Sequence, residues 1–175
     1  MTEIVLLPLE EDDKNQFILD NQEAFRYGAM EEFGLRDAHF EEEGEIISRE
    51  TIEKSIDCGT AYRIWKNGRK VGGLVLRTEG NKGELELLFV SPRLHSMGIG
   101  YAAWCMAEKL YPNIHIWETC TPYFEKRNIH FYVNRCGFHI VEFFNEKHLD
   151  PHNTKESTVD EEMFRFEKRM KNYCF

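Results

Sequence analysis

Glu84-Leu85-Glu86-Leu87-Leu88-Phe89-Val90-Ser91-Pro92-Arg93-Leu94-His95-Ser96-Met97-Gly98-Ile99-Gly100-Tyr101-Ala102-Ala103-Trp104 reads as a strand, a short turn, and an amphipathic helix opened by Gly-x-Gly. The start of a helix leaves backbone N–H groups without partners and carries positive partial charge, and glycines let an anion approach that backbone closely. A phosphate or pyrophosphate is the natural guest. The dinucleotide fingerprint does not fit, because position 103 is Ala where a third glycine is needed. A Walker A loop is also absent, since Gly-Lys-Ser/Thr occurs nowhere in the chain.

Working outward, the segment closes a run of three strands. Ala61 to Lys66, Lys70 to Thr78 and Glu84 to Val90 are separated by Asn67-Gly68 and by Gly80-Asn81-Lys82-Gly83. Asn-Gly accepts positive φ at both central positions of a tight hairpin, so an antiparallel meander is predicted. Upstream, Ile4 to Leu7 is a short strand closed by Pro8. Helical spacing follows from Asp12 to Phe33, with Gly28 and Gly34 as breaks, and again from Ser48 to Asp57. Downstream, Gly98 to Leu110 is a helix, Ile114 to Trp117 a strand, Pro122 to Arg135 a helix, and Phe138 to Phe144 and Met163 to Met170 strands around a polar excursion over 150–162. This predicts a mixed α/β fold: a mostly antiparallel sheet of about seven strands with helices on both faces and some parallel pairing at the crossovers.

The length, 175 residues with 42% apolar and 13% aromatic side chains, suits one domain spanning residues 1–175 and excludes wholesale disorder. No apolar run reaches the length of a membrane helix, and Met1 to Leu9 lacks a basic leader pattern. A net charge of −9 argues against nucleic acid. That charge is uneven: residues 1–60 carry net −12 and residues 61–175 net +3, which reads for most of these carboxylates as a solvated acidic helical surface and alternatively as an acidic part suited to a cation beside a more basic part that tolerates an anion. Cys58, Cys105, Cys120, Cys136 and Cys174 are odd in number with no CxxC pair, which predicts buried thiols in a reducing cytoplasm and no structural zinc. His115, His130, His139 and His148 form no metal-ligand pattern, so no metal is expected.

Leu85 to Trp104 resembles the acyl-CoA motif of the GNAT superfamily of N-acetyltransferases: an apolar strand, Val-x-Pro, and a [Gln/Arg]-x-x-Gly-x-Gly/Ala turn, with His95 in place of Gln or Arg. Asn128-Ile129-His130-Phe131-Tyr132-Val133-Asn134-Arg135-Cys136-Gly137-Phe138 resembles the family's second signature, a helix bearing Phe-Tyr and closing in Gly-Phe. Gly100 and Gly137 lie 37 positions apart, and the two motifs in this order are more specific than either alone.

The resemblance implies the acyl-CoA N-acyltransferase fold and transfer of acetyl from acetyl-CoA to a primary amine without a covalent enzyme intermediate. It implies that pantetheine pairs with the backbone of Leu88, Phe89 and Val90. The pyrophosphate would sit on the turn amides of His95, Ser96, Met97, Gly98, Ile99, Gly100 and Tyr101, and Asn128 would either touch CoA or cap locally. Glu86, with Glu84 second, is the candidate base. Tyr132 is the candidate acid, although it lies five residues before Gly137 where the family usually has four. An extra residue after the tyrosine would absorb the difference; otherwise a rotation of about 100° turns the phenol away. Glu31, Glu32 and Glu41 to Glu43 would border the acceptor site, and Trp65, Trp117 and Phe124 are wall candidates that more often serve as core. A homodimer involving Lys171 to Phe175 is compatible with the family. The rival from another class is a non-catalytic acyl-CoA-binding regulator.

Overall fold

The computed structural model describes residues 3–33, 40–152 and 162–171. The chain divides into two compact units, Met1–Thr78 with Leu85–Pro112, and Glu79–Glu84 with Asn113–Phe175.

In the first unit, β1 (Val5–Pro8) pairs antiparallel with β2 (Thr60–Lys66), and β2 pairs antiparallel with β3 (Arg69–Glu79). The β2–β3 turn has positive φ at both Asn67 and Gly68, the geometry that Asn-Gly predicts. A 3₁₀ turn at Glu11–Asp13 leads into α1 (Lys14–Phe33). Phe17, Ile18, Asn21, Gln22, Ala24 and Ala29 are its buried residues, a stripe at helical spacing. Gly28 does not break α1, which runs through it; Gly34 lies outside the described residues. α2 (Arg49–Cys58) begins on an N-cap, Ser48, whose hydroxyl accepts the Thr51 N–H at 3.1 Å. Its Ile52 joins Phe17, Ile18, Ala61, Val75, Leu87 and Phe89 in one core cluster. α3 (Ile99–Leu110) buries Ile99, Ala103, Trp104 and Ala107 at i, i+4, i+5 and i+8.

β2 also buries a charge. Arg63 is 2% exposed and donates to Asp13 through Nε at 2.7 Å and Nη2 at 3.2 Å, and to Asp20 through Nη1 at 2.8 Å. Its guanidinium lies 5.1 Å from the Phe17 ring centre. Burial alone would push the Asp13 carboxyl up; hydrogen bonds from Arg63 and Lys70 outweigh it and hold the group below its ordinary range.

β4 (Lys82–Val90) belongs to both units. In the second, its first three residues pair in parallel with β5 (Ile116–Pro122), ending at Glu84 opposite Glu118. β7 (Met163–Arg169) pairs antiparallel with β5 and with β6 (His139–Phe144), completing a seven-stranded, mostly antiparallel sheet in the order β1-β2-β3-β4-β5-β7-β6. Two expectations need correction here. The fifth strand is not Ile114–Trp117, and no helix starts at Pro122: β5 continues to Pro122, with Trp117, Thr119 and Thr121 facing inward. Threonine is β-branched and suits a pleated surface, but its polarity hides the inward alternation. The helix that follows is a short α4 (Lys126–His130) continued by a π turn over Phe131–Cys136.

Candidate active site

The exit of β4 is shaped by glycine. A Cβ on Gly72 of β3 would fall 2.2 Å from the Phe89 carbonyl oxygen, and the Ser91 N–H donates to the Val71 carbonyl at 2.8 Å. The Phe89 carbonyl and the Ser91 amide therefore face β3. Backbone groups of successive strand residues alternate in direction, so those of Leu88 and Val90 face away from β3. They form a short edge of donors and acceptors on which an extended, amide-bearing chain can pair. The side chain of Phe89 is buried; Leu88 and Val90 are half-buried.

Beyond a 3₁₀ turn at Pro92–Leu94, Ser96 and Gly98 both take left-handed φ, 64° and 74°. Positive φ strains serine and suits glycine, and residues of this kind gather backbone N–H groups into concave anion sites. Gly98 is the N-cap of α3, with open space where a Cβ would stand. Ala102 donates to Gly98 at 3.0 Å, so Ile99 and Gly100 have no intrahelical acceptor for their N–H groups. Ile99 packs its side chain into the core while Met97 and Tyr101 stay exposed. His95 directs Nε2 at the Val90 carbonyl, 3.0 Å away. Its ring meets Tyr27 of α1 edge-on, with centres 5.5 Å apart.

Glu86 and Glu84 stand on one face of β4, two residues apart. Glu86 accepts from the Ser55 hydroxyl at 3.3 Å and lies 3.2 Å from Arg77 Nε, with its side chain 18% exposed. The carboxylate is thus held by two polar partners and remains reachable from solvent. Neither Ser55 nor Arg77 carried a sequence signal, being 31 residues before and nine before Glu86 with no motif around them.

Tyr132 lies in the π turn, buried among Phe131, Phe138 and Phe166. A π turn accommodates one more residue than an α turn, and here it closes on Gly137 with φ 80°, whose N–H returns to the Tyr132 carbonyl. Burial pushes the phenol up to about 12, against a smaller opposing effect of a hydrogen bond with Thr119. The phenol stays protonated throughout the working pH range. Asn128 is exposed on α4 and donates a long bond of 3.4 Å to Thr121 Oγ1.

The acids expected near an acceptor have local partners. Glu41 accepts from the Ser48 N–H and the Thr51 hydroxyl, Glu42 from Gln22, and Glu31 from Tyr27; nearby Glu45, outside that set, accepts from Arg26. Glu42 and Glu45 fasten the loop before α2 to α1, Glu41 ties it to the start of α2, and the Glu31 bond stays within α1. The Glu32 side chain lies outside the described residues, as does most of the Lys171–Phe175 end. Trp117 is wholly buried, beneath Gly83, while Trp65 and Phe124 are half-buried. Among the described residues no group of three or more His, Cys, Asp and Glu is placed to hold a metal ion, and no helix is long and apolar enough to cross a membrane.

Residues 20–138 match the family described as Acetyltransferase (GNAT) family. The chain is 44% identical to the uncharacterized protein YrkN of Bacillus subtilis strain 168, over 96% of this chain and 94% of that one. Its fold is similar to that of a GNAT family acetyltransferase from Elizabethkingia anophelis solved with acetyl-CoA bound, with TM-score 0.66 at 15% identity over 97% and 100% of the two chains. It is also similar to spermidine N-acetyltransferase from Vibrio cholerae, in complex with CoA and spermine, with TM-score 0.64 at 15% identity over 97% and 96%. The strand, turn and helix described above fall inside the matched span, and the chain belongs to the GNAT family of acetyltransferases.

Proposed function

We propose that this protein transfers the acetyl group of acetyl-CoA to a primary amine of a small molecule or peptide, by direct attack in a ternary complex. The observation that carries the reading is the continuity of two backbone features: the Leu88–Val90 edge turned away from β3, and the left-handed turn at Ser96 and Gly98 that opens α3. The first suits the amides of a pantetheine arm, and the second suits a diphosphate. The turn from His95 to Tyr101 takes the diphosphate, and Asn128 is a further CoA contact. The acidic charge of residues 1–60 favours a cationic acceptor. The whole of residues 1–175 acts as one transferase domain in the cytoplasm, alone or as a homodimer.

In this reading the Glu86 carboxylate takes the proton of the attacking ammonium, directly or through water, with Glu84 as the alternative base. The amine lone pair forms the C–N bond as the C–S bond breaks, and the nitrogen then sheds its second proton, which replaces the one that Tyr132 gives up. The phenol of Tyr132 supplies a hydrogen bond and then a proton to the departing thiolate. No metal enters.

Thiol release from acetyl-CoA across a panel of amines tests this. Amine-dependent release is expected, falling about 100-fold in Glu86→Gln with CoA affinity retained. Bound CoA without amine-dependent release from the wild-type protein would instead favour a non-catalytic acyl-CoA-binding regulator.

A further inference from the structure

His95 stands where the resemblance to the acyl-CoA motif implies Gln or Arg, and its contacts give it a definite task. The peptide joining Val90 to Ser91 sends its N–H to Val71 of β3, so its carbonyl points the other way, along the edge that faces away from β3. His95 Nε2 reaches that carbonyl at 3.0 Å, and since a carbonyl only accepts, Nε2 carries the proton. The ring is steadied by Tyr27, whose hydroxyl donates to Glu31 at 2.8 Å on the same helix. The last acceptor on the edge is thereby taken by the protein's own side chain. Leu88 still presents its carbonyl on that side, and Leu88 and Val90 their N–H groups.

We propose that His95 is a positioning residue for the acyl carrier. By claiming the Val90 carbonyl, it ends the edge on which the pantetheine arm pairs, and so fixes the register of the arm along β4 while the diphosphate rests on the next turn. The proposal rests on the acetyl-CoA reading above. It also gives α1 a part in carrier binding, because Tyr27 props the imidazole from that helix. A glutamine at position 95 can reach the same carbonyl with its side-chain N–H, whereas an asparagine is one methylene shorter and cannot.

The test compares wild type with His95→Ala, His95→Gln, His95→Asn and Tyr27→Ala, by calorimetric titration of CoA and by KM and kcat for acetyl-CoA. His95→Ala and His95→Asn are expected to weaken CoA binding and raise KM about fivefold to tenfold, the worth of one well-placed hydrogen bond, with a smaller change in kcat. His95→Gln stays within about twofold of wild type, and Tyr27→Ala falls between. A short acyl donor lacking the nucleotide, acetyl-pantetheine, loses as much in His95→Ala as acetyl-CoA does, because the effect lies in the arm. If His95→Ala and His95→Asn bind CoA as wild type does, or if glutamine fares no better than asparagine, the positioning role is overturned. Should the alanine variant fail to fold, the glutamine–asparagine pair decides the matter alone. Failure of the wild-type protein to bind CoA at all is a different result, and it overturns the acetyl-CoA reading instead.

Discussion

Replacing Asp13 with Asn removes one negative charge and almost nothing else. In the folded protein that charge faces Arg63, which is 2% exposed, across two hydrogen bonds of 2.7 and 3.2 Å, and Lys70 at 2.9 Å. An amide keeps one acceptor and turns an NH2 toward the guanidinium, so one bond is lost and the other is no longer charge-assisted. Asp20 remains on Arg63 Nη1 at 2.8 Å but is itself one-third exposed, and it offsets only part of the loss. The sum is about 3 kcal/mol, toward the lower end for breaking a buried pair. For a chain of this length that lowers the thermal midpoint by about 6–12 °C. Thermal and urea unfolding at pH 7 measure it.

The pH dependence gives a second reading of the same interaction. The folded carboxyl titrates below its ordinary 3.8, so the stabilisation is complete well above that value and disappears as the pH falls through the depressed one. The gap between wild type and Asp13→Asn is therefore constant from pH 7 to about 5 and narrows progressively below about 4. A variant within 0.5 kcal/mol of wild type at pH 7 (about the scatter of surface substitutions) would refute the reasoning, as would a gap at pH 3 as wide as at pH 7.

Gly72→Ala drives a methyl to within 2.2 Å of the Phe89 carbonyl oxygen, which cannot yield without moving β4. A loss of about 2–3 kcal/mol is expected in urea unfolding, together with a raised KM for acetyl-CoA. In Tyr132→Phe, kcat falls about tenfold or more while KM for acetyl-CoA holds, measured by thiol release. The same substitution changes alkaline stability. The native phenol, pushed up to about 12, contributes fully below pH 10, and that contribution is lost as the pH rises through 12. Wild type should therefore lose about 2–3 kcal/mol more than Tyr132→Phe between pH 10 and 12.

Local chemistry was legible in the sequence. Asn67-Gly68 encodes its hairpin through two positive φ values, and Gly98-Ile99-Gly100 encodes a helix start that backbone can line. Ser48 caps the start of α2 as its residue type implies. What escaped is long-range or polar. Arg63 occupies an inward position of β2 where alternation alone calls for an apolar residue, and its partners lie 50 and 43 residues away. β5 was cut short because Thr119 and Thr121 bury hydroxyl-bearing side chains. Gly28 fails to interrupt α1 because burial of the stripe on either side, at Ala24 and Ala29, outweighs one glycine's propensity cost. At the candidate site the motif residues could be named, but the holding partners of Glu86 and the reach of His95 to Val90 depend on tertiary geometry.

The swollen turn around Tyr132 has a consequence for placing this chain by motif spacing. Counting back four places from Gly137 lands on Val133, so an ungapped alignment anchored on that glycine equates a valine with a phenol. The bulge keeps the left-handed exit at Gly137 and spaces Tyr132 five residues before it. Any census of this lineage by motif spacing should therefore allow a one-residue gap after the tyrosine, or it will discard members that have kept the aromatic hydroxyl.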